Sequence, residues 1–462
     1  MRNAGTRTTF LCRDCGHSSP KWNGRCPACG AWGTITEFTE PKRPARQRTA
    51  ATLAAPRAAV APAPLIEQPC SDGERVSTGL TEVDRLLGGG IVAGSVVLLA
   101  GDPGIGKSTL LLQAAGSIAE TAGAVLYVSG EESGAQVRLR SERLGVRSPD
   151  VRFSPETDAP TIRALLTSEH PALLVVDSIQ TLTSPDAQSA AGSVAQVREC
   201  AQLLIGWAKQ SNIPVVMTGH VTKDGNIAGP RVLEHMVDVV LAMEGEPVSS
   251  LRLLRCSKNR FGAANGVALL EMRNEGLIEV RDPSALLVGE RDPSAPGSAV
   301  AVTMQGNRPL LCEVQALTNT SVFSPPRRTA TGVDFNRMAM LAAVLSRRTG
   351  ISIGNQDVMV NIPSGLQVAE PALDLAIATA IASSFLDAPI HPATVLVGEV
   401  GLNSEVRSTA HLERRLEEAA RHGFERALVP QSALRSLDAP SGIEVVGVAG
   451  VREAIAQAIP AR

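Results

Sequence analysis

The chain has 462 residues, room for roughly two to four domains, and 44% of them are apolar, which supplies sizeable cores and excludes wholesale disorder. The net charge is −2 and aromatics are only 3%, so neither a global basic field nor a surface built mainly of stacked rings is on offer to nucleic acid. No apolar run approaches the roughly 20 residues of a membrane span and the N-terminus lacks the apolar core of a signal peptide, so a cytoplasmic protein with no membrane partner is expected.

The first expected element is a metal finger over residues 1–40. Cys12, Cys15, Cys26 and Cys29 stand as C-x2-C-x10-C-x2-C, two knuckles that each aim a pair of thiolates at one point. Four soft ligands suit tetrahedral Zn2+, and a fully thiolate site leaves no open position, so the metal is expected to be structural. Gly16 and Gly30 follow the second cysteine of each pair, where a knuckle can require positive φ. Residues 41–72 are rich in Pro and Ala. Their basic run (Lys42, Arg43, Arg46, Arg48 and Arg57) reads as a solvated tether or as a non-specific phosphate contact.

Residues 73–285 alternate apolar runs with helical patterns, as an α/β domain does. Val96–Ala100 is a buried-strand run, followed at once by Gly101-Asp102-Pro103-Gly104-Ile105-Gly106-Lys107-Ser108-Thr109 and then a helical pattern. This is GxxxxGK[ST] between a strand and a helix. Its glycines let backbone N–H groups curl around phosphate, Lys107 reaches the β- and γ-phosphates, and Ser108 offers a hydroxyl to Mg2+. Only six of the 44 basic residues are lysines, so a lysine at this position stands out. The next strand ends in Ser129-Gly130-Glu131-Glu132. Glu131 is the expected catalytic carboxylate that orients water. Glu132 is the second candidate, and either can instead cap the following helix. Leu173–Val176 then Asp177 is a Walker B pattern, with Asp177 holding Mg2+. His220 closes a fourth strand, as a γ-phosphate sensor or as a local cap. In Lys258-Asn259-Arg260-Phe261-Gly262, Lys258 and Arg260 are two apart and share a strand face, either seeking an anion or lying at a solvated edge.

A second seam, RDPSALLVGERDPSAPGSAV, precedes residues 286–462. There Leu373, Ile377 and Ile381 form a helical core stripe. Glu417, Glu418, Arg421 and Arg426 are expected on a later polar helix surface, and Arg327, Arg328, Arg347 and Arg348 are expected at the surface, as phosphate contacts or simply as solvated cations.

Taken together, the finger, "STGLTEVDRLLGGG", "GDPGIGKST", "YVSGEES", "VVDSIQT", "GHVTKDGNIAGPRVLEHMVD" and above all "KNRFG" resemble, in family order, the RadA (Sms) family of bacterial RecA-related DNA-repair ATPases. The resemblance implies a RecA-like P-loop ATPase core with an N-terminal four-cysteine zinc finger. It also implies a hexameric homo-oligomeric ring around single-stranded DNA, DNA-stimulated ATP hydrolysis, and branch migration of recombination intermediates together with RecA. By the same resemblance Lys107, Ser108 and Asp177 bind nucleotide and metal, Glu131 is catalytic, and Lys258 and Arg260 couple ATP to DNA. The alternative is an ATP-switched clamp or RecA-loading scaffold that does not translocate.

Residues 300–462 resemble the Lon protease catalytic domain through "VNIPSGLQVAEPALDLAIATAIASS" and "LVGEVGLNSEVRSTAHLERRLEEAARHGFERALVP". Aligned to that family, Ala372 stands at the serine position and Glu413 at the lysine position, and no lysine follows Lys258. The serine–lysine pair that such hydrolysis needs cannot be built, so an ATP-dependent protease is rejected.

Overall fold

The computed structural model describes residues 7–12, 18–19, 21–27, 30, 32–40, 75–187, 189–220, 232–245 and 250–460. The N-terminal ribbon is a three-stranded antiparallel sheet of β1 (Arg7–Cys12), β2 (Ser18–Ser19) and β3 (Ile35–Glu40), in the order β2-β1-β3. Among the described residues its core is Cys26 and Ile35, with Phe10 packed against them. A segment this short builds little core, which is why a metal would be asked to hold it.

The central domain opens with the short pair β4 (Arg75–Val76) and β5 (Ile91–Val92), which flank α1 (Thr81–Leu87). Asp84 of α1 ties down the turn before it, accepting from the Ser77 and Thr78 hydroxyls and the Thr78 N–H. There follow β6 (Val96–Gly101), α2 (Lys107–Thr121), β7 (Val125–Ser129), α3 (Gly134–Arg143), β8 (Val151–Ser154) and α4 (Ala159–Glu169). Next come β9 (Leu173–Asp177), α5 (Val194–Ser211), β10 (Val215–His220), α6 (Val232–Met236) and β11 (Val239–Glu244). A meander of β12 (Leu251–Asn259), β13 (Val267–Arg273) and β14 (Gly276–Glu279) completes the sheet.

The sheet has nine strands in the order β14-β13-β12-β11-β6-β10-β9-β7-β8. The six from β11 to β8 are mutually parallel, and the meander is antiparallel. β6, β7 and β9 are buried along their whole length, as a parallel sheet covered on both faces demands. Leucines and valines of one face pack with α1 and α2, and those of the other face with α4 and α5. All parallel strands end on one edge, and the crevice beyond that edge is where ligands of such sheets bind.

The remainder of the chain runs through α7 (Pro283–Val288), β15 (Ser298–Gln305), β16 (Arg308–Thr320), β17 (Arg328–Thr331), α8 (Phe335–Val344), β18 (Gln356–Asn361) and α9 (Asp374–Leu386). It ends with β19 (Thr394–Leu396), β20 (Glu399–Val400), β21 (Val406–Arg407), α10 (Leu412–Arg421), β22 (Arg426–Pro430), β23 (Glu444–Val448) and α11 (Val451–Ala458). A seven-stranded mixed sheet, β17-β18-β16-β15-β19-β22-β23, carries α8, α9 and α11 on one face and α10 on the other.

Three details differ from expectation. The boundary placed between residues 285 and 286 falls inside α7. Leu287 of that helix joins the core of the second sheet, and the Ser284 hydroxyl donates to Glu418 at 2.5 Å. Glu418 is accordingly buried rather than part of a polar surface. Arg426 lies on β22, not on the helix, because Gly423 at φ 79° ends α10 and turns the chain into a strand. No helix among the described residues is long and apolar enough to cross a membrane.

Candidate nucleotide site and its surroundings

The site is built at the end of β6. Gly101 must be glycine, since a Cβ there would stand 2.6 Å from the Met243 carbonyl oxygen of β11. Gly106, at φ 119°, would meet the Met272 methyl at 2.7 Å. Between them Asp102, Pro103 and Gly104 are exposed at the rim, while Ile105 is buried. Lys107 and Ser108 open α2, so the free N–H groups of the helix N-terminus face the loop. Thr109 is buried behind them. The Lys107 side chain is 5% exposed, and its ammonium donates to the carbonyls of Gly101 and Asp102, each at 2.8 Å. Burial lowers the Lys107 pKa, opposed by the charges of Asp177, Glu131 and Asp102.

The two expected carboxylates arrive from neighbouring strands. Ser129, at the end of β7, pairs with Asp177, at the end of β9. Asp177 accepts from the Tyr127 hydroxyl on one oxygen and from Thr218 of β10 on the other, both at 2.8 Å. Burial and the Asp177 charge push the Tyr127 pKa well above its ordinary value, so the phenol stays a donor. Glu131 accepts from the Ser178 hydroxyl at 2.5 Å, on the same side as Lys107, whose ammonium feels its charge. Glu132 points elsewhere and is gripped by the Arg140 guanidinium of α3 at 2.5 and 2.6 Å. Neither glutamate caps α3, because Ser133 does so in a reciprocal box with Gln136. His220 ends β10 with its backbone beside Gly101, and its side chain lies outside the described residues, as do residues 221–231. The cluster of a buried ammonium, a helix N-terminus and two carboxylates fits a polyphosphate. A hydroxyl (Ser108) and a carboxylate (Asp177) are the hard oxygen donors that a magnesium ion takes.

The Lys258–Gly262 segment is bound up within its own chain. Lys258 donates to the carbonyls of Glu234, His235 and Val237, at 2.7, 3.3 and 2.7 Å, so it caps the C-terminal end of α6. Burial, then the neighbouring Arg260, lowers its pKa. Arg260 lies one residue past β12 and pairs with Asp238 at 3.4 Å. The other oxygen of Asp238 accepts from the Val96 N–H, at the start of the very strand that ends in the phosphate loop. Asn259 donates to Leu86 and accepts from the Phe261 N–H. The Phe261 carbonyl accepts from Arg75, and Gly262 packs on Gly88. The two cations, open in sequence between an outside anion and a solvated edge, have partners within the chain.

Several contributors escaped the sequence reading. Arg252 of β12 is buried, and its Nε donates to the Ile105 carbonyl in the phosphate loop at 2.9 Å. Burial lowers its pKa. Arg252, Leu254 and Cys256 are the inward-facing residues of β12, but Leu251 and Leu253 on the other face hide that period in the sequence. Ser178, Tyr127, Thr218 and Arg140 carried no comparable pattern.

In the ribbon, Cys26 is 1% exposed and its carbonyl accepts from the Gly30 N–H at 2.9 Å, with Gly30 at φ 76°, which is the knuckle geometry expected there. Cys15 and Cys29, Gly16 and the side chain of Cys12 lie outside the described residues. The donor chemistry of the four cysteines suits zinc.

In the second α/β domain Ala372 is 2% exposed and Glu413 lies on the exposed face of α10. Arg415, two residues on, is buried. It forks onto Glu370 at 2.9 and 2.7 Å and donates to the Val302 carbonyl. The ion pair joins the two segments that carry Ala372 and Glu413. Among the surface cations, Arg327 stacks 3.9 Å from the Phe323 ring centre and Arg348 donates to Asn403.

Three family models match the chain. One described as an AAA domain covers residues 62–226, a rubredoxin metal binding domain covers 10–37, and subunit ChlI of Mg-chelatase covers 328–433. The chain is 48% identical over 452 residues to the DNA repair protein RadA of Bacillus subtilis, covering 98% of both chains. Its identity to the DNA repair protein RadA of Streptococcus pyogenes serotype M6 is 46% over 98% of this chain and 99% of that one. To that of Listeria monocytogenes it is 43% over the full length of both.

Proposed function

The chain belongs to the RadA family of DNA repair proteins, and from that premise we propose that it is a DNA-dependent ATPase that drives branch migration of recombination intermediates. In this reading it acts as a hexameric ring on single-stranded DNA, together with RecA. The observation that carries the reading is the convergence of Lys107, Glu131 and Asp177 at one sheet edge, around a glycine loop at a helix N-terminus.

The chemistry follows from those groups. Lys107 exchanges its two backbone carbonyls for β- and γ-phosphate oxygens. Glu131, held by Ser178, orients a water molecule toward the γ-phosphorus and accepts its proton as the new P–O bond forms. The bond to the bridging oxygen breaks, and ADP leaves with the electron pair. Ser108 and Asp177 would hold the magnesium ion, which supplies positive charge against the phosphates when bound. Tyr127 and Thr218 keep Asp177 aimed. The four cysteines would hold zinc as a fold element. Coupling to DNA runs through the Lys258 clasp on α6 and through Asp238, which joins Arg260 to the base of β6. Peptide hydrolysis is no part of this reading, because Ala372 and Glu413 stand where a serine–lysine pair would be needed.

The test is steady-state ATP hydrolysis with and without single-stranded DNA, on the wild type and on Lys258→Ala. Stimulation by DNA in the wild type, absent in the variant, is expected. A wild type indifferent to DNA would sink the motor and favour an ATP-gated scaffold.

A further inference from the structure

Two of the three tryptophans stand on the ribbon, and both are wet. Trp22 is 62% and Trp32 75% exposed, whereas Trp207 is buried in α5. The two indoles are neighbours. Each lies 3.7 Å from the point where a Cβ of Gly24 would stand, so they flank one glycine. The placement is held by backbone. Arg25 and Trp32 form an antiparallel bridge, and the Gly33 N–H donates to the Gly24 carbonyl at 2.9 Å. Arg25 is anchored on the knuckle, its Nε donating to the Gly30 carbonyl at 2.8 Å, and its guanidinium lies 6.0 Å from the Trp32 ring centre. Lys21 is exposed beside them.

Charge says what such a surface would meet. The first 60 residues contain ten basic and three acidic residues, a net of +7, whereas the other 402 carry −9. A chain that is net acidic elsewhere is net basic at the end that bears two bare indoles. Flat aromatic faces with cations at their rim match a polymer of flat bases and anionic phosphates. Open faces need unstacked bases, which duplexes do not present.

We propose that Trp22 and Trp32, with Lys21 and Arg25, form a stacking platform for single-stranded nucleic acid on the ribbon. The platform shares its polymer with the function proposed above but not its site, so the two fail separately. The ribbon holds a strand outside the ATPase, and its grip does not require ATP.

The tryptophans are their own reporters. Full-length, zinc-replete, nucleotide-free protein is titrated with oligo(dT) and with duplex DNA of equal length, reading tryptophan emission, with ATP hydrolysis followed in parallel. Saturable quenching by oligo(dT), weaker with duplex, is expected. Trp22→Ala or Trp32→Ala should cut the quenching and weaken nucleotide-free binding about tenfold. Trp32→Phe, which keeps a ring, should restore most of the affinity. Bound zinc and the residual Trp207 emission verify that each variant is folded. Binding of oligo(dT) with unchanged emission, equal quenching by duplex, or alanine variants that bind like the wild type would overturn the platform. Quenching by RecA but not by oligo(dT) would assign the surface to a protein instead. DNA stimulation that survives while quenching is absent defeats the platform alone; quenching without stimulation defeats the motor alone.

Discussion

At the scale of single residues, two adjacent glutamates meet different fates. Glu131 faces the phosphate loop and is held by Ser178, while Glu132 is spent on Arg140. Sequence could narrow the choice to this pair but not decide it, because a one-residue slip at a strand end reverses direction. The deciding partner lies eight residues away on a helix. Glu131→Gln should lower ATP turnover by about 10²–10⁴-fold while nucleotide still binds, and Glu132→Gln should leave turnover near wild type. Single-turnover hydrolysis with a fluorescent-nucleotide binding assay separates the two. Equal losses in both variants would show that the catalytic assignment is wrong. Lys107 and Asp177 were legible because a glycine loop and an apolar strand frame them. Tyr127 and Thr218 were not, because a tyrosine or threonine in a strand interior looks like ordinary core.

At the scale of elements, β12 does more than fill the sheet. Near its start Arg252 bonds the phosphate loop, in its middle Arg255 donates to Gln305 of the second domain at 3.0 Å, and near its end Lys258 caps α6. Arg252→Met removes a buried donor from the Ile105 carbonyl. The expected result is a KM for ATP raised roughly tenfold, with kcat changed less, and partial recovery in Arg252→Lys. A normal KM in the methionine variant would reduce Arg252 to packing. The parallel strands were readable from their apolar runs and terminal polar residues, as in Leu173–Asp177. What could not be read was the inward turn of charged residues. Glu418 and Arg252 look like surface until Ser284 and Ile105 are seen to meet them.

At the scale of the whole molecule, the second α/β domain sets the buried Arg415 guanidinium against Glu370. Burial alone would raise the Glu370 carboxyl pKa, but the hydrogen bond and charge of Arg415 and the Met304 N–H outweigh it and hold it below its ordinary value. A carboxylate depressed in the folded state contributes stability above its unfolded pKa and loses it as pH falls through the folded one. Melting temperature should therefore drop on acidification below about pH 4.5 more steeply in the wild type than in Glu370→Gln. Arg415→Met should cost about 3–5 kcal/mol by stranding the carboxylate, and the double variant less. Casein should remain uncut even by Ala372→Ser combined with Glu413→Lys, since the introduced serine would be buried. The two α/β units are also riveted together. Arg308 pairs with Glu82 at 2.5 Å, and the Asn307 N–H donates to the Asn265 carbonyl at 2.9 Å. The calorimetric corollary is that they melt as one body. A single heat-absorption peak is expected, and a nucleotide that touches only the first sheet should carry the second to higher temperature with it.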